Sequence, residues 1–136
     1  MTRAQVALDA GQQLETRTIG PITQTDIVRF AGAGGDFNPL HHDADYARAA
    51  GLPGVIAMGQ MQAGMLAVWI ADLVGVENLV SYSVRFVSPL AIGETLELGG
   101  TVASTDDNTN VAEVIVQATV GDRVVISGKA RVRISG

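Results

Sequence analysis

The stretch Gly59-Gln-Met-Gln-Ala-Gly-Met-Leu-Ala-Val-Trp-Ile-Ala-Asp-Leu-Val74 decides how the rest of the chain must be arranged. It is apolar nearly all round, and a helix of that kind has to be enclosed by other elements. The longer apolar run that contains it, Val55 to Val76, is interrupted by Gly59, Gln60, Gln62, Gly64 and Asp72. A bilayer span tolerates few such groups, so the run reads as a buried helix of a soluble domain, with no role for a membrane. Met1 to Gly11 lacks the charged start and apolar core of a signal peptide, and a cytoplasmic location is expected.

Downstream of this helix the hydrophobic period changes from 3.6 to 2. In Asn78 to Val87, residues Val80, Tyr82, Val84 and Phe86 share one face, while Ser81, Ser83 and Arg85 share the other. Leu96 and Leu98 alternate with polar neighbours after a turn at Gly93-Glu94, and Thr105 to Asn110 reads as a polar hairpin loop. Val111 to Val120 and Arg123 to Ile134 read as long strands joined by Gly121-Asp122. The last strand is expected to turn Val124, Ile126, Ala130, Val132 and Ile134 inward, and Arg123, Ser127, Lys129, Arg131 and Arg133 outward. One-sided alternation means an antiparallel sheet with one buried face.

Upstream, Leu14 to Ile19 predicts a short first strand. Thr23-Gln-Thr-Asp26 fits a capping box, with Ile22 and Ile27 placed for a hydrophobic staple. Ile27, Phe30 and Ala31 give that helix an apolar face, and Gly32 is expected to stop it. A second short helix, Asp43 to Ala50, is closed by Gly51. Helices followed by an antiparallel sheet make an α+β arrangement, with a strongly curved sheet wrapped around the long helix. No linker or repeat interrupts the chain, so residues 1–136 read as one domain.

The 136 residues carry 14 acidic and 9 basic side chains, for a net charge of −5, and no cysteine. No disulfide scaffold, thiolate metal site or cysteine nucleophile is therefore possible. The acidic balance and scattered arginines argue against nucleic-acid binding. Aromatics are 4% and glycines number 16, so the core must be aliphatic and tightly packed. A chain of this length leaves little room for a private cleft, and a second subunit is expected to complete one.

The chemistry concentrates in Gly35-Asp-Phe-Asn-Pro-Leu-His41. Asp36 and His41 are the groups suited to general acid/base work near neutral pH. Pro39 forbids a helix between them and pushes Asn38 to an extended backbone, which stiffens the segment. Asn38 can brace the loop or orient the aspartate. The alternative, a turn or cap with His41 as a bracing side chain, stays open on residue types alone. His41-His42-Asp43 also invites a metal reading, but adjacent histidines tend to point apart and the chain has no other histidine, so no metal is expected.

Read whole, Phe30-Ala-Gly-Ala-Gly-Gly-Asp-Phe-Asn-Pro-Leu-His-His-Asp43, followed by Ala47, resembles the hydratase signature of the MaoC-like family. The resemblance continues through Ile56-Ala-Met-Gly59 and Val84-Arg-Phe-Val-Ser-Pro-Leu-Ala-Ile-Gly-Glu94, and so covers most of the chain. These are R-specific enoyl-CoA hydratases and (3R)-hydroxyacyl-thioester dehydratases with the hot-dog fold. The resemblance implies that Asp36 and His41 are a catalytic dyad that activates one water. It implies that the backbone N–H of Gly59 is the donor to the thioester oxygen, that Asn38 and Gln60 support the site, and that no cofactor is needed. Met61, Met65 and Trp69 become candidates for the wall of an acyl tunnel.

It further implies an acyl-CoA or acyl-carrier-protein thioester as substrate and a homodimer or higher homo-oligomer as the assembly. Arg85, Lys129, Arg131 and Arg133 could meet its phosphates, or simply form a solvated sheet face. Many members read His-Gly-Met where this chain has Met58-Gly59-Gln60. Where some carry a serine this chain has Gly64, as subunits of mycolate-type fatty-acid dehydratases do. These departures keep a heteromeric dehydratase open. A hot-dog acyl-CoA thioesterase is the remaining alternative, although such enzymes generally lack the Asp-x-Asn-Pro-Leu-His motif.

Overall fold

A computed structural model describes residues 4–136. The elements run β1 (Arg17–Ile19), α1 (Gln24–Gly34), α2 (Ala44–Ala49), α3 (Gly59–Val74), β2 (Leu79–Phe86), β3 (Leu96–Asp106), β4 (Val111–Val120) and β5 (Arg123–Arg133). The five strands form one antiparallel sheet in the order β1-β3-β4-β5-β2. The register shifts at Leu79/Ser81, Val102/Ser104 and Ala118/Thr119. Such bulges bend strands and add twist, which curves the sheet around α3. The result is a hot-dog architecture, α+β in class.

The core lies between that curved face and the helix. From α3 it takes Met61, Leu66, Trp69, Ile70 and Val74; from the sheet it takes Leu96, Leu98, Val102, Val114, Val116, Ile126 and Val132. Trp69 fits because β3 carries glycine opposite it. A Cβ on Gly100 would stand 3.3 Å from the Trp69 ring and 2.7 Å from the Ile115 carbonyl. The scarcity of aromatics and the number of glycines thus meet at one contact.

The capping box of α1 is present. Thr23 Oγ1 accepts from the Asp26 N–H at 3.1 Å, and Thr23 N–H donates to Asp26 Oδ2 at 2.9 Å. The hydrogen bond from the Thr23 backbone holds the Asp26 carboxyl below its usual range. Ile22 and Ile27 are buried, as a staple requires.

Four expectations need correction. Helix α1 does not stop at Gly32 but runs to Gly34, because the left-handed residue that ends it is Gly35, at φ 71°. A glycine inside a helix is only mildly unfavourable, whereas a left-handed one terminates it. Strand β1 is shorter than expected; Gln13 makes only an isolated bridge to Thr101. In β2, Val80 leaves the inward face at the bulge and is exposed. In β5 the bulge at Ala118/Thr119 brings Val125 into the core beside Ile126, while Val124 is only half-buried.

Helix α3 also departs from full enclosure. Its sheet-facing side is buried, but Gly64 and Val68 are exposed, and Met65 is half-buried. With Ile19, Phe30 and Met61 they line an apolar groove. At the sheet's end, among the described residues, β2 pairs only with β5 and leaves its other edge free. Among the described residues no helix is long and apolar enough to cross a membrane.

Candidate active site

The segment Gly35 to His42 lies between α1 and α2 and packs against the chain entering α3. Asn38 starts a single tight turn: its side-chain Oδ1 accepts from Leu40 N–H at 3.0 Å, and its carbonyl accepts from His41 N–H at 3.0 Å. Pro39 opens the turn with its φ already suitable. This places the His41 imidazole, 8% exposed, beside the Asp36 carboxyl, with Nε2 3.4 Å from Oδ2. The other Asp36 oxygen accepts from Asn38 N–H at 3.3 Å. Asn38 therefore braces both the loop and the aspartate.

The ring's far nitrogen settles its tautomer. His41 Nδ1 lies 2.8 Å from the Ile56 carbonyl, which can only accept. Nδ1 must carry the hydrogen, so neutral His41 presents a bare Nε2 to Asp36. Two acceptors facing each other at 3.4 Å call for a proton or a hydrogen-bearing ligand between them.

Neither Ile56 nor Gln24 was recognisable as a site residue in the sequence. The first acts through its backbone carbonyl, which no side chain signals. Gln24 Nε2 donates to the His41 carbonyl at 2.9 Å, tying the turn to the start of α1. Its position as the first residue of α1 gives no hint of a partner so far along the chain.

Ile56 is itself held. Ala57 N–H donates to the Leu90 carbonyl at 2.8 Å, Ile92 N–H to the Val55 carbonyl at 3.0 Å, and Ile56 bridges Ala91. Arg123 pins that loop: its guanidinium donates to the Pro89 carbonyl at 2.6 Å, to Ser88 Oγ at 3.0 Å, and to the Glu94 carboxylate. Burial of Glu94 works to raise its pKa. The Arg123 hydrogen bond, the Ala91 N–H and the guanidinium charge outweigh it and hold the carboxyl below its ordinary value.

Gly59 begins α3, and Met58, its N-cap, supplies no side-chain hydrogen bond. The first-turn N–H groups are thus not satisfied by a capping side chain. A Cβ on Gly59 would stand 2.8 Å from two ring carbons of Phe86, so any larger residue must displace that ring or the helix start. Gly59, Gln60, Ile56, Ala57 and Met58 border the cleft of ≈ 340 Å³ that holds Asp36 and His41. A second cleft of ≈ 460 Å³ shares Ile56, Ala57, Gly59 and Gln60 and runs on past Phe86, Val87, Pro89 and Gln62.

The structure thus gathers Asp36, His41, Asn38, Gly59 and Gln60 at one place. The tunnel candidates divide. Met61 and Met65 line the outer groove of α3. Trp69 is buried in the core, its indole N–H donating to the Glu15 carbonyl at 3.0 Å, and it does not border the dyad cleft. Arg85 and Lys129 share a groove on the outer sheet face, and Lys129 Nζ lies 3.8 Å from Glu113 Oε1. Among the described residues no three His, Asp or Glu side chains are grouped to hold a metal ion.

A curved antiparallel sheet over a long helix, with Asp36 and His41 beside the helix start, defines a hot-dog protein. The sequence matches the MaoC like domain over residues 5–124, and the chain belongs to that family. It is similar to an (R)-specific enoyl-CoA hydratase of Rhodospirillum rubrum, 34% identical over 115 residues, which cover 83% of this chain and 80% of that protein. It is similar to a 3-hydroxybutyryl-CoA dehydratase of Methylorubrum extorquens, 30% identical over 115 residues, 83% of this chain and 73% of that one. Both relatives are hydro-lyases. A solved MaoC-like dehydratase superposes with a TM-score of 0.89 at 29% identity, covering 98% of this chain and 44% of its own.

Proposed function

We propose that the chain hydrates trans-2-enoyl thioesters to (3R)-hydroxyacyl thioesters, and runs the reverse dehydration, in acyl metabolism. The observation that carries this is the Asp36–His41 pair, with its tautomer fixed by Ile56, set beside the uncapped start of α3. A water held between His41 Nε2 and Asp36 Oδ2 loses a proton to the dyad as its oxygen bonds to C3. The C2=C3 electrons move toward the carbonyl, and the thioester oxygen gains enolate character. The Gly59 N–H, aided by the helix dipole, donates to that oxygen. The proton then passes to C2, so the elements of water add across the double bond.

The substrate is a thioester of CoA or an acyl carrier protein, and the setting is the cytoplasm. The working assembly is a homodimer. The free edge of β2, the exposed apolar side of α3 and Phe37, 71% exposed beside Asp36, all support a covering subunit.

The test follows the loss of the enoyl-thioester absorbance on the purified chain, with its oligomeric state measured by sedimentation. Turnover by a dimer is expected. Inactivity alone, relieved by a different MaoC-like chain, would make it one subunit of a heteromeric dehydratase. Release of free thiol without hydration would make it a thioesterase.

A further inference from the structure

Gln62 is a buried amide that the proposed mechanism leaves unused. It sits in the first turns of α3, 2% exposed, and its Oε1 has no hydrogen-bond partner among the described residues. A buried acceptor without a partner costs more free energy than an apolar side chain of the same shape would. It lines the second cleft, whose other walls include Ile56, Phe86, Val87, Pro89 and Ile126. The hydroxyl there is already committed: Ser88 Oγ donates to the Val124 carbonyl at 2.7 Å and accepts from Arg123 at 3.0 Å. Gln60 borders the same cleft but is exposed to solvent. Gln62 is therefore a buried, unpartnered side-chain acceptor in a mostly apolar channel.

That channel adjoins the dyad cleft through Ile56, Ala57, Gly59 and Gln60. One extended ligand with its reacting carbons at His41 can reach into it. A plain hydrocarbon segment would leave the Gln62 carbonyl unpaired. A segment with a hydroxyl or amide N–H would satisfy it. We infer that Gln62 is a specificity-determining residue: its side-chain carbonyl accepts a hydrogen bond from a neutral donor on the bound thioester, away from the reacting C2=C3 bond. This rests on the thioester reading above. Two parts of such a ligand carry that chemistry: a hydroxyl on the acyl chain, or an amide N–H of the pantetheine arm.

The experiment compares wild type with Gln62→Leu. Titration calorimetry measures binding of a saturated acyl-CoA, of the same chain ending in a hydroxyl, and of the same acyl group on a simple alkanethiol that lacks the pantetheine amides. Turnover of the matching trans-2-enoyl-CoAs is measured in parallel. If the donor is on the acyl chain, wild type prefers the hydroxylated chain by about 10-fold, and Gln62→Leu abolishes that preference. If the donor is the pantetheine amide, both CoA esters weaken about 10-fold in Gln62→Leu while the alkanethiol ester binds the two proteins equally. In either case the unliganded variant melts at or above wild type, because an unpaired buried group has gone.

Equal binding of every ester by the two proteins overturns the inference. So does a lower melting temperature with all three affinities falling together, which marks a packing residue. Wild type that binds with the expected pattern but turns nothing over rejects the hydratase reading and keeps this one. Wild type that binds no thioester rejects both.

Discussion

The two ends of α3 are built on opposite terms. At the C-terminal end the Ala71 and Val74 carbonyls are satisfied: Gly75 N–H donates to Ala71 at 2.8 Å, and Asn78 Nδ2 to Val74 at 2.8 Å. Trp69, Ile70 and Val74 are buried there. At the N-terminal end, among the described residues, no side chain caps the helix, Gln60 is exposed and the Gln62 carbonyl is unpaired. Polar groups left open at a helix start are unfavourable unless something outside the fold satisfies them. One helix thus separates its duties. The closed end secures the fold, and the open end faces the clefts where a ligand would complete it.

The largest effect expected at the open end is chemical. Asp36→Asn and His41→Ala should each lower kcat by about 10²–10⁴-fold, the usual contribution of a positioned acid or base. The melting temperature should move little for Asp36→Asn, since that carboxyl is 44% exposed and makes only local contacts. Normal turnover in both variants would reduce the dyad to a bracing pair.

At the closed end the effect should be on stability instead. Trp69→Ala removes a ring that reaches Gly100 and an indole N–H bonded to Glu15. Chemical denaturation should report a loss of about 3–5 kcal/mol, with turnover per folded molecule preserved. A small stability loss accompanied by lost activity would return Trp69 to the substrate wall and blur the contrast between the ends.

Gly59→Ala tests the boundary between the two roles. The added methyl meets the Phe86 ring at 2.8 Å. Either that half-exposed ring swings aside or the first turn of α3 shifts. The expected destabilisation is about 1–3 kcal/mol. The kcat should fall further than binding does, because the donor N–H moves from where the enolate oxygen forms. Unchanged turnover in Gly59→Ala would leave this glycine a purely packing residue.

How much of this was legible in the sequence follows the same divide. The closed end and the sheet follow from periodicity, because burial writes itself into alternation: Val114, Val116 and Ala118 are buried as the strand pattern demands. Asp36, His41, Asn38 and Gly59 stood out through local motif and resemblance, and the structure brings them together. Missed were contacts made by backbone or by residues distant in sequence. The Ile56 carbonyl that sets the His41 tautomer has no side-chain signature. Gln24 and Phe86 reach the site only through folding. Which residues of α3 face outward was unreadable for a different reason. Apolar residues destined for a partner and those destined for the core are the same residue types.

The smallest expected effect joins the two regions through Arg123 and Glu94. This pair pins the loop that carries Leu90 and Ala91, and that loop holds Val55 to Ala57, whose Ile56 carbonyl fixes His41. The Glu94 carboxyl is held below its ordinary pKa of 4.5 in the folded chain. A depressed carboxyl binds fewer protons folded than unfolded, so its contribution is present in full above pH 4.5 and lost as pH falls below it. The pair is 40% and 27% exposed, so less than about 1 kcal/mol is at stake. Wild type should therefore show a shallow decline in melting temperature below pH 4.5 that Glu94→Gln flattens. At neutral pH Glu94→Gln should melt slightly lower and lose activity beyond what stability explains, because the His41 anchor loosens. A pH profile identical in the two proteins would show that the loop holds Ile56 without this charge, and that the open end owes nothing to β5.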